Sequence, residues 1–296
     1  MSPPDRFGLS AALTTPFDAA MGIDTKRAIA HARWCLQNGC NSITLFGTTG
    51  EGSSIGTGER REVLDAFLAA GIPARRILTG VMANSVQDAI AQSAQALDAG
   101  CRGVLLAPPS YFKNVSDEGL FAWFSAVLTA LGASARGIIL YNIPSVTAVE
   151  LSVDLIGRLK AAFPEAVAGV KDSSGNWSFT QKLLAAHGDL AILIGDERSL
   201  AAGVRLGAQG AISGMANICP ARMLPMIEKG QDDPGLCGFV DELVKYPVTP
   251  AVKAMVARRT GDAAWRAARA PLAAISEADQ ARLGALLDNM QQAVAA

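Results

Sequence analysis

The chain has 296 residues, half of them hydrophobic and 18% charged, enough for one large domain or a barrel with an appendix. Twenty-six basic residues against 27 acidic give a formal net charge of −1 with no basic stripe, which argues against nucleic acid as a partner. No apolar run approaches the roughly 20 residues that span a bilayer, so a membrane partner is not expected either.

The opening Met1-Ser-Pro-Pro-Asp-Arg6 has no apolar stretch behind a basic start, so no signal peptide is expected. Five scattered cysteines, Cys35, Cys40, Cys101, Cys219 and Cys237, read as free thiols in a reducing compartment, the cytoplasm. His31, Cys35 and Cys40 fall on or just past one amphipathic helix. Neither Cys-x-x-Cys nor paired-His spacing accompanies them, and no metal is expected.

In chain order, strand-like runs alternate with helical patterns. A strand over 8–15 is stopped by Pro16, and a helix over 24–37 follows. Strand 42–46, rich in β-branched residues, leads to helix 59–70 and strand 76–81. Ser85 with Asp88 three residues on opens a helix, as Ser116 and Ser152 do later. Strands 103–107, 137–142, 167–171, 190–195 and 210–214 complete eight, with helices over 177–186, 200–206 and 221–228 among their connections. Eight alternating units predict a closed parallel α/β barrel, a (β/α)8 fold. Pro234-Gly235 marks the best internal boundary, giving a catalytic barrel over 1–230 and a helical region over 231–296. That region carries helical patterns at 239–245, 250–259 and 277–294.

In such a barrel the active site lies at the C-terminal ends of the strands. Three unusual stretches fall there. Strand two ends in Gly47-Thr-Thr-Gly-Glu-Gly52, which lacks the Gly-Lys-Ser/Thr of a P-loop. It is either a plain glycine-rich turn or a cradle whose hydroxyls and N–H groups hold a small carboxylate. Strand five ends in Tyr141-Asn-Ile-Pro144. That phenol either packs locally or relays a proton. Strand six ends in Lys171. Its amine either keeps its charge in water or, desolvated and neutral, attacks a carbonyl to form a Schiff base. The three together are more specific than any one.

With Leu13-Thr-Thr-Pro-Phe17, Gly169-Val-Lys-Asp-Ser-Ser-Gly175, Leu193-Ile-Gly-Asp196 and Gly210-Ala-Ile-Ser213 added, the chain resembles the dihydrodipicolinate synthase / N-acetylneuraminate lyase family, class I pyruvate-dependent aldolases. The resemblance covers essentially the whole chain. It implies a lyase in which Lys171 forms the Schiff base with pyruvate and Tyr141 passes protons. It implies that Thr48 links Tyr141 to a tyrosine from a neighbouring subunit. Thr49 and the turn beginning at Gly47 would hold the carboxylate, with the carbonyl of Ile212 nearby. Gly195, Asp196 and Glu197, after strand seven, would lie beside the tail of the substrate, although the two carboxylates could equally stabilise a helix start. No metal or organic cofactor is implied, and a homotetramer built as a dimer of dimers is.

Two positions depart from the family pattern. Val146 stands where dihydrodipicolinate synthases carry an arginine for the carboxylate of aspartate semialdehyde. Phe112 stands at the second place of a Tyr-Tyr pair, leaving Tyr111 as the available hydroxyl. Lys113 is a candidate contact for an anionic aldehyde, or a solvated loop lysine. The expected partners are therefore pyruvate and a small aldehyde or a 2-keto acid, a 2-keto-3-deoxy sugar acid being one candidate. The rivals are a dihydrodipicolinate synthase that holds its aldehyde differently and an idle barrel that binds a keto acid. A phosphate-binding isomerase fits poorly, since Gly214-Met-Ala-Asn217 makes a weak phosphate cradle.

Overall fold

The computed structural model describes residues 6–292. Eight parallel strands, β1 Gly8–Ala12, β2 Ser42–Leu45, β3 Ile77–Val81, β4 Gly103–Leu106, β5 Ile138–Asn142, β6 Val167–Asp172, β7 Ala191–Ile194 and β8 Gly210–Ser213, pair in chain order and close through β1 and β8. Helices α1 Thr25–Gln37, α2 Thr57–Ala69, α3 Val86–Asp98, α4 Asp117–Leu131, α5 Pro144–Thr147, α6 Val153–Ala162, α7 Trp177–Ala186, α8 Leu200–Arg205 and α9 Pro220–Lys229 lie in the connections or follow β8. Three more, α10 Pro234–Leu243, α11 Val248–Thr260 and α12 Glu277–Gln292, complete the chain. The expected (β/α)8 barrel with C-terminal helices is therefore what the sequence forms.

Local chemistry sets the element ends. The side chains of Asp24, Ser85, Ser116 and Ser152 each accept an N–H three residues on, satisfying one orphan donor per helix. The strand expected over 8–15 stops at Ala12, because the Thr14 N–H turns to the Asn217 side chain at 3.1 Å. Pro234, read as a boundary, occupies the first turn of α10, where a missing N–H leaves no bond unmade. The short α5 went unanticipated. The leader reading over residues 1–5 and the end of the helix expected over 277–294 lie outside the described residues. Among the described residues no helix is long and apolar enough to cross a membrane.

The core is double. Outward residues such as Leu140, Val170 and Ile194 pack under helical residues such as Phe124, Leu155 and Leu183. Inward residues Leu78, Leu105, Ile139, Leu193 and Ile212 fill the barrel. Each such side chain contributes roughly 1.5–3 kcal/mol by leaving water.

One irregularity decides what β6 points inward. Ile138 pairs with Val167, but the next residue, Ile139, pairs with Gly169, so Ala168 is an extra residue in β6. Ala168 is the one exposed residue of the strand. Side chains alternate with period two, so one extra residue exchanges inside for outside. Beyond it, Val170 faces the helices and Lys171 faces the interior, opposite Tyr141. Gly169 must be glycine for this approach, since a Cβ there would sit 2.4 Å from the Ala191 carbonyl oxygen.

Candidate active site

Lys171 ends in the barrel mouth and is 6% exposed. Its Nζ donates to the Tyr141 hydroxyl at 3.2 Å and lies 4.3 Å from the centre of that ring. Among the described residues no carboxylate forms an ion pair with it. The Tyr141 hydroxyl is in turn 3.3 Å from Thr48 Oγ1, so amine, phenol and hydroxyl form one chain across β6, β5 and the loop after β2. Below them Asn142 and Asp172 pair in register, with Asn142 Nδ2 donating to Asp172 Oδ1 at 3.0 Å. Asp172 also accepts from the Ser174 N–H at 3.1 Å and the Thr180 hydroxyl at 2.6 Å. It therefore holds the turn after Lys171.

The loop after β2 is wound tightly. The N–H groups of Gly50, Glu51 and Gly52 bond back to the carbonyls of Gly47 and Thr48, at 3.0–3.1 Å. Among the described residues the N–H groups of Thr48 and Thr49 take no hydrogen-bond partner and are free to receive an anion. Glu51 adopts a left-handed φ of 56°, and its buried carboxylate bonds to Lys253 Nζ from α11 and accepts the Arg269 N–H at 2.8 Å. Lys253 is fully buried, and that burial lowers its pKa against the opposing pull of Glu51. Thr249, also on α11, donates to the Thr48 carbonyl at 3.2 Å. The loop is thus clamped from the C-terminal helices.

These groups open onto a cavity of about 450 Å³. Thr48, Thr49, Tyr141, Val146, Lys171, Gly195, Asp196, Glu197 and Ile212, all singled out from the sequence, line it. Gly195 brings the backbone against Ser173, where a Cβ would lie 1.9 Å from the serine Oγ. Gly47 and Tyr111 do not line the cavity. Gly47 sits behind the loop against Gly80, and Tyr111 is 76% exposed with Phe112 packed edge-on at 5.3 Å between ring centres. Asp196 caps the turn after β7 and holds Arg198, its Oδ2 accepting at 2.6 Å. Glu197 is buried against the Ser213 hydroxyl, and burial raises its pKa. Sequence reasoning missed the serines 145, 173 and 174, and it missed Val240, Leu243, Val244, Val248 and Val252 from the C-terminal helices. Their one signal is an α11 buried on every side from Thr249 to Ala257, which a solvent-facing appendix would not be. A larger groove of about 650 Å³, beside Trp34, Pro220 and Pro234, holds none of the reactive groups.

A model of the dihydrodipicolinate synthetase family matches residues 5–290. The chain belongs to this family. As a member of the dihydrodipicolinate synthetase family it is a lyase, an aldolase of the pyruvate-dependent class I kind. An uncharacterized DapA-like lyase of Chloroflexus aurantiacus is 31% identical over 291 residues, 96% of either chain. The 4-hydroxy-tetrahydrodipicolinate synthase of Methanosarcina mazei is 30% identical over 291 residues, 93% of this chain and 95% of that one. The crystal structure of dihydrodipicolinate synthase from Agrobacterium tumefaciens is 61% identical, with a TM-score of 0.95 over 96% of this chain and 99% of that one.

Proposed function

We propose that Lys171 forms a Schiff base with pyruvate and that the chain joins the derived enamine to an aldehyde, or cleaves the resulting 4-hydroxy-2-keto acid in the reverse direction. The observation that carries this is the chain Lys171–Tyr141–Thr48 at 3.2 and 3.3 Å in the mouth of the barrel. The free amine adds to the keto carbon of pyruvate. Water leaves, and a protonated imine forms. The imine draws electrons from the methyl carbon, which loses a proton and becomes the enamine carbon. That carbon bonds to the aldehyde carbon, and the carbonyl electron pair moves to oxygen, which takes a proton. Water then hydrolyses the imine and releases both product and Lys171. Because the imine is the electron sink, this sequence calls for no metal or organic cofactor.

Tyr141, backed by Thr48, carries the protons to and from the carbinolamine and the new alkoxide. Thr49 and the free N–H groups of Thr48 and Thr49 hold the carboxylate, in a turn shaped by Gly47. Ile212 and Gly195 border the pyruvate, and Val146, Asp196 and Glu197 border its partner. Pyruvate in the crystal structure of the Acinetobacter baumannii dihydrodipicolinate synthase, 28% identical over 97% of this chain with a TM-score of 0.86, supports the choice of keto acid. Five free cysteines support the cytoplasm as the working compartment. Exposed Tyr111 and Phe112 support an assembly of copies, a homotetramer by family likeness, in which Tyr111 meets a neighbour's site.

Borohydride reduction in the presence of pyruvate, followed by peptide mapping, tests the reading. A pyruvate-derived adduct on Lys171, absent from Lys171→Ala, is expected. Folded protein without an adduct would leave an idle keto-acid-binding barrel.

A further inference from the structure

The cavity has two unlike ends. Its floor carries Thr48, Thr49, Tyr141 and Lys171, and its rim carries Val146 from α5, Leu243 and Val244 at the end of α10, and Val248 from α11. Val146, Val244 and Val248 are 60%, 41% and 44% exposed, so three of the seven large apolar side chains left in water among the described residues ring this one opening. Exposed apolar groups gathered at the mouth of a site mark what it takes from water.

Charge at the rim is already spent. Arg198 and Lys171 are the cations that line the cavity. Arg198 bonds to Asp196 at 2.6 Å and to Asp241 at 2.9 Å, a trio of net charge −1. Lys113 turns its ammonium to the carbonyls of Ser110 and Thr147 and does not line the cavity. Glu197 is committed to Ser213 and Asp196 to Arg198, so neither has an idle carboxylate for a row of hydroxyls. An anionic tail would find no free cation and a net negative cluster. A polyol tail would find the hydroxyls of Ser145, Ser173 and Ser174 inside the cavity but would lie against valines at its rim.

We infer that the aldehyde joined to pyruvate at this site carries an uncharged, apolar tail seated on Val146, Val244 and Val248. The inference rests on the Schiff-base reading of Lys171 and adds the class of the second substrate. In the condensation the enamine carbon bonds to the aldehyde carbon and the carbonyl oxygen takes the proton, so the tail stays chemically untouched and contributes through binding alone.

The test uses the wild-type protein with pyruvate and a panel of aldehydes: propanal, butanal and hexanal, with succinic semialdehyde and erythrose as four-carbon counterparts of butanal. The 4-hydroxy-2-keto acid is followed by mass spectrometry, with borohydride trapping of pyruvate run alongside. We expect kcat/KM to rise about three- to fourfold per methylene from propanal to hexanal. We expect succinic semialdehyde and erythrose to fall below butanal by a factor on the order of 10 or more. If the Lys171 adduct forms but either four-carbon counterpart matches butanal, or no aldehyde is turned over, the apolar seat is wrong and the Schiff-base reading stands. If no adduct forms, both fall.

Discussion

Lys171 and Lys253 are both buried lysines, and their surroundings divide the work between them. Lys253 is sealed against the Glu51 carboxylate with its Nζ 4.4 Å from the Phe17 ring centre, while the nearest polar partner of Lys171 is a phenol. One amine is committed and the other is available. His31 is another buried titratable group, stacked on Trp34 and edge-on to Trp265, with Nε2 3.0 Å from Asn217 Oδ1 and Nδ1 3.0 Å from Arg259. Burial, opposed by the Asn217 bond and aided by Arg259, lowers its pKa to about 4. An unfolded histidine titrates near 6.5, so the unfolded chain takes up a proton that the folded chain refuses between pH 6.5 and 4. Stability contributed by neutral His31 is whole above pH 6.5 and is lost as pH falls towards 4, by roughly 3 kcal/mol in all. Urea unfolding of wild type and His31→Gln at pH 7 and pH 4.5 measures this, and the wild type is expected to lose more of its stability than the variant. At this scale the sequence is legible where a residue stands at a strand end, as Lys171 and Tyr141 do. It is silent for Lys253, whose partner lies 202 positions away, because no local pattern announces a pairing at that range.

The elements behind the site are the loop after β2 and α11, and the Glu51–Lys253 pair joins them. Removing one member of a buried ion pair strands the other charge, at a cost of about 3–5 kcal/mol. Lys253→Met is therefore expected to lower the calorimetric Tm strongly, with Glu51→Gln added to it restoring part of the loss. Because the same loop bears Thr48 and Thr49, KM for pyruvate should rise more than kcat falls in the single variant. We propose that residues 1–230 form the catalytic barrel and 231–296 a C-terminal region that cannot be dispensed with, since Thr249 and Lys253 brace the loop. The strand and helix order was readable from periodicity and serine or aspartate caps. That the last helices wall the cavity was not, because an apolar helix reads alike whether its covering is a neighbouring helix or a substrate.

Across the whole molecule, the barrel delivers five strand ends to one mouth, and what reaches the mouth depends on register. Ala168 sits in a short apolar run that reads as an ordinary strand, so its status as an extra residue could not be seen in the sequence. Deleting Ala168 leaves every motif residue in place and makes the ladder regular, since Gly169, Val170 and Lys171 keep Ile139, Leu140 and Tyr141 as partners and Lys171 still faces the interior. The deletion variant is expected to melt cooperatively and to yield the borohydride adduct that Lys171→Ala lacks. Loss of the adduct from a folded variant would show that the bulge itself, and not the pairing with Tyr141, aims the amine. Reactivity in this barrel is thus a question of pairing rather than of parity. Two chains can spell the same motif, letter for letter, and differ in whether the count of residues from the start of the strand to the lysine is odd or even. A bulge absorbs that difference, so both carry an amine where a keto acid can meet it, and relatives are better sorted by which residue pairs with the β5 tyrosine than by counting along β6.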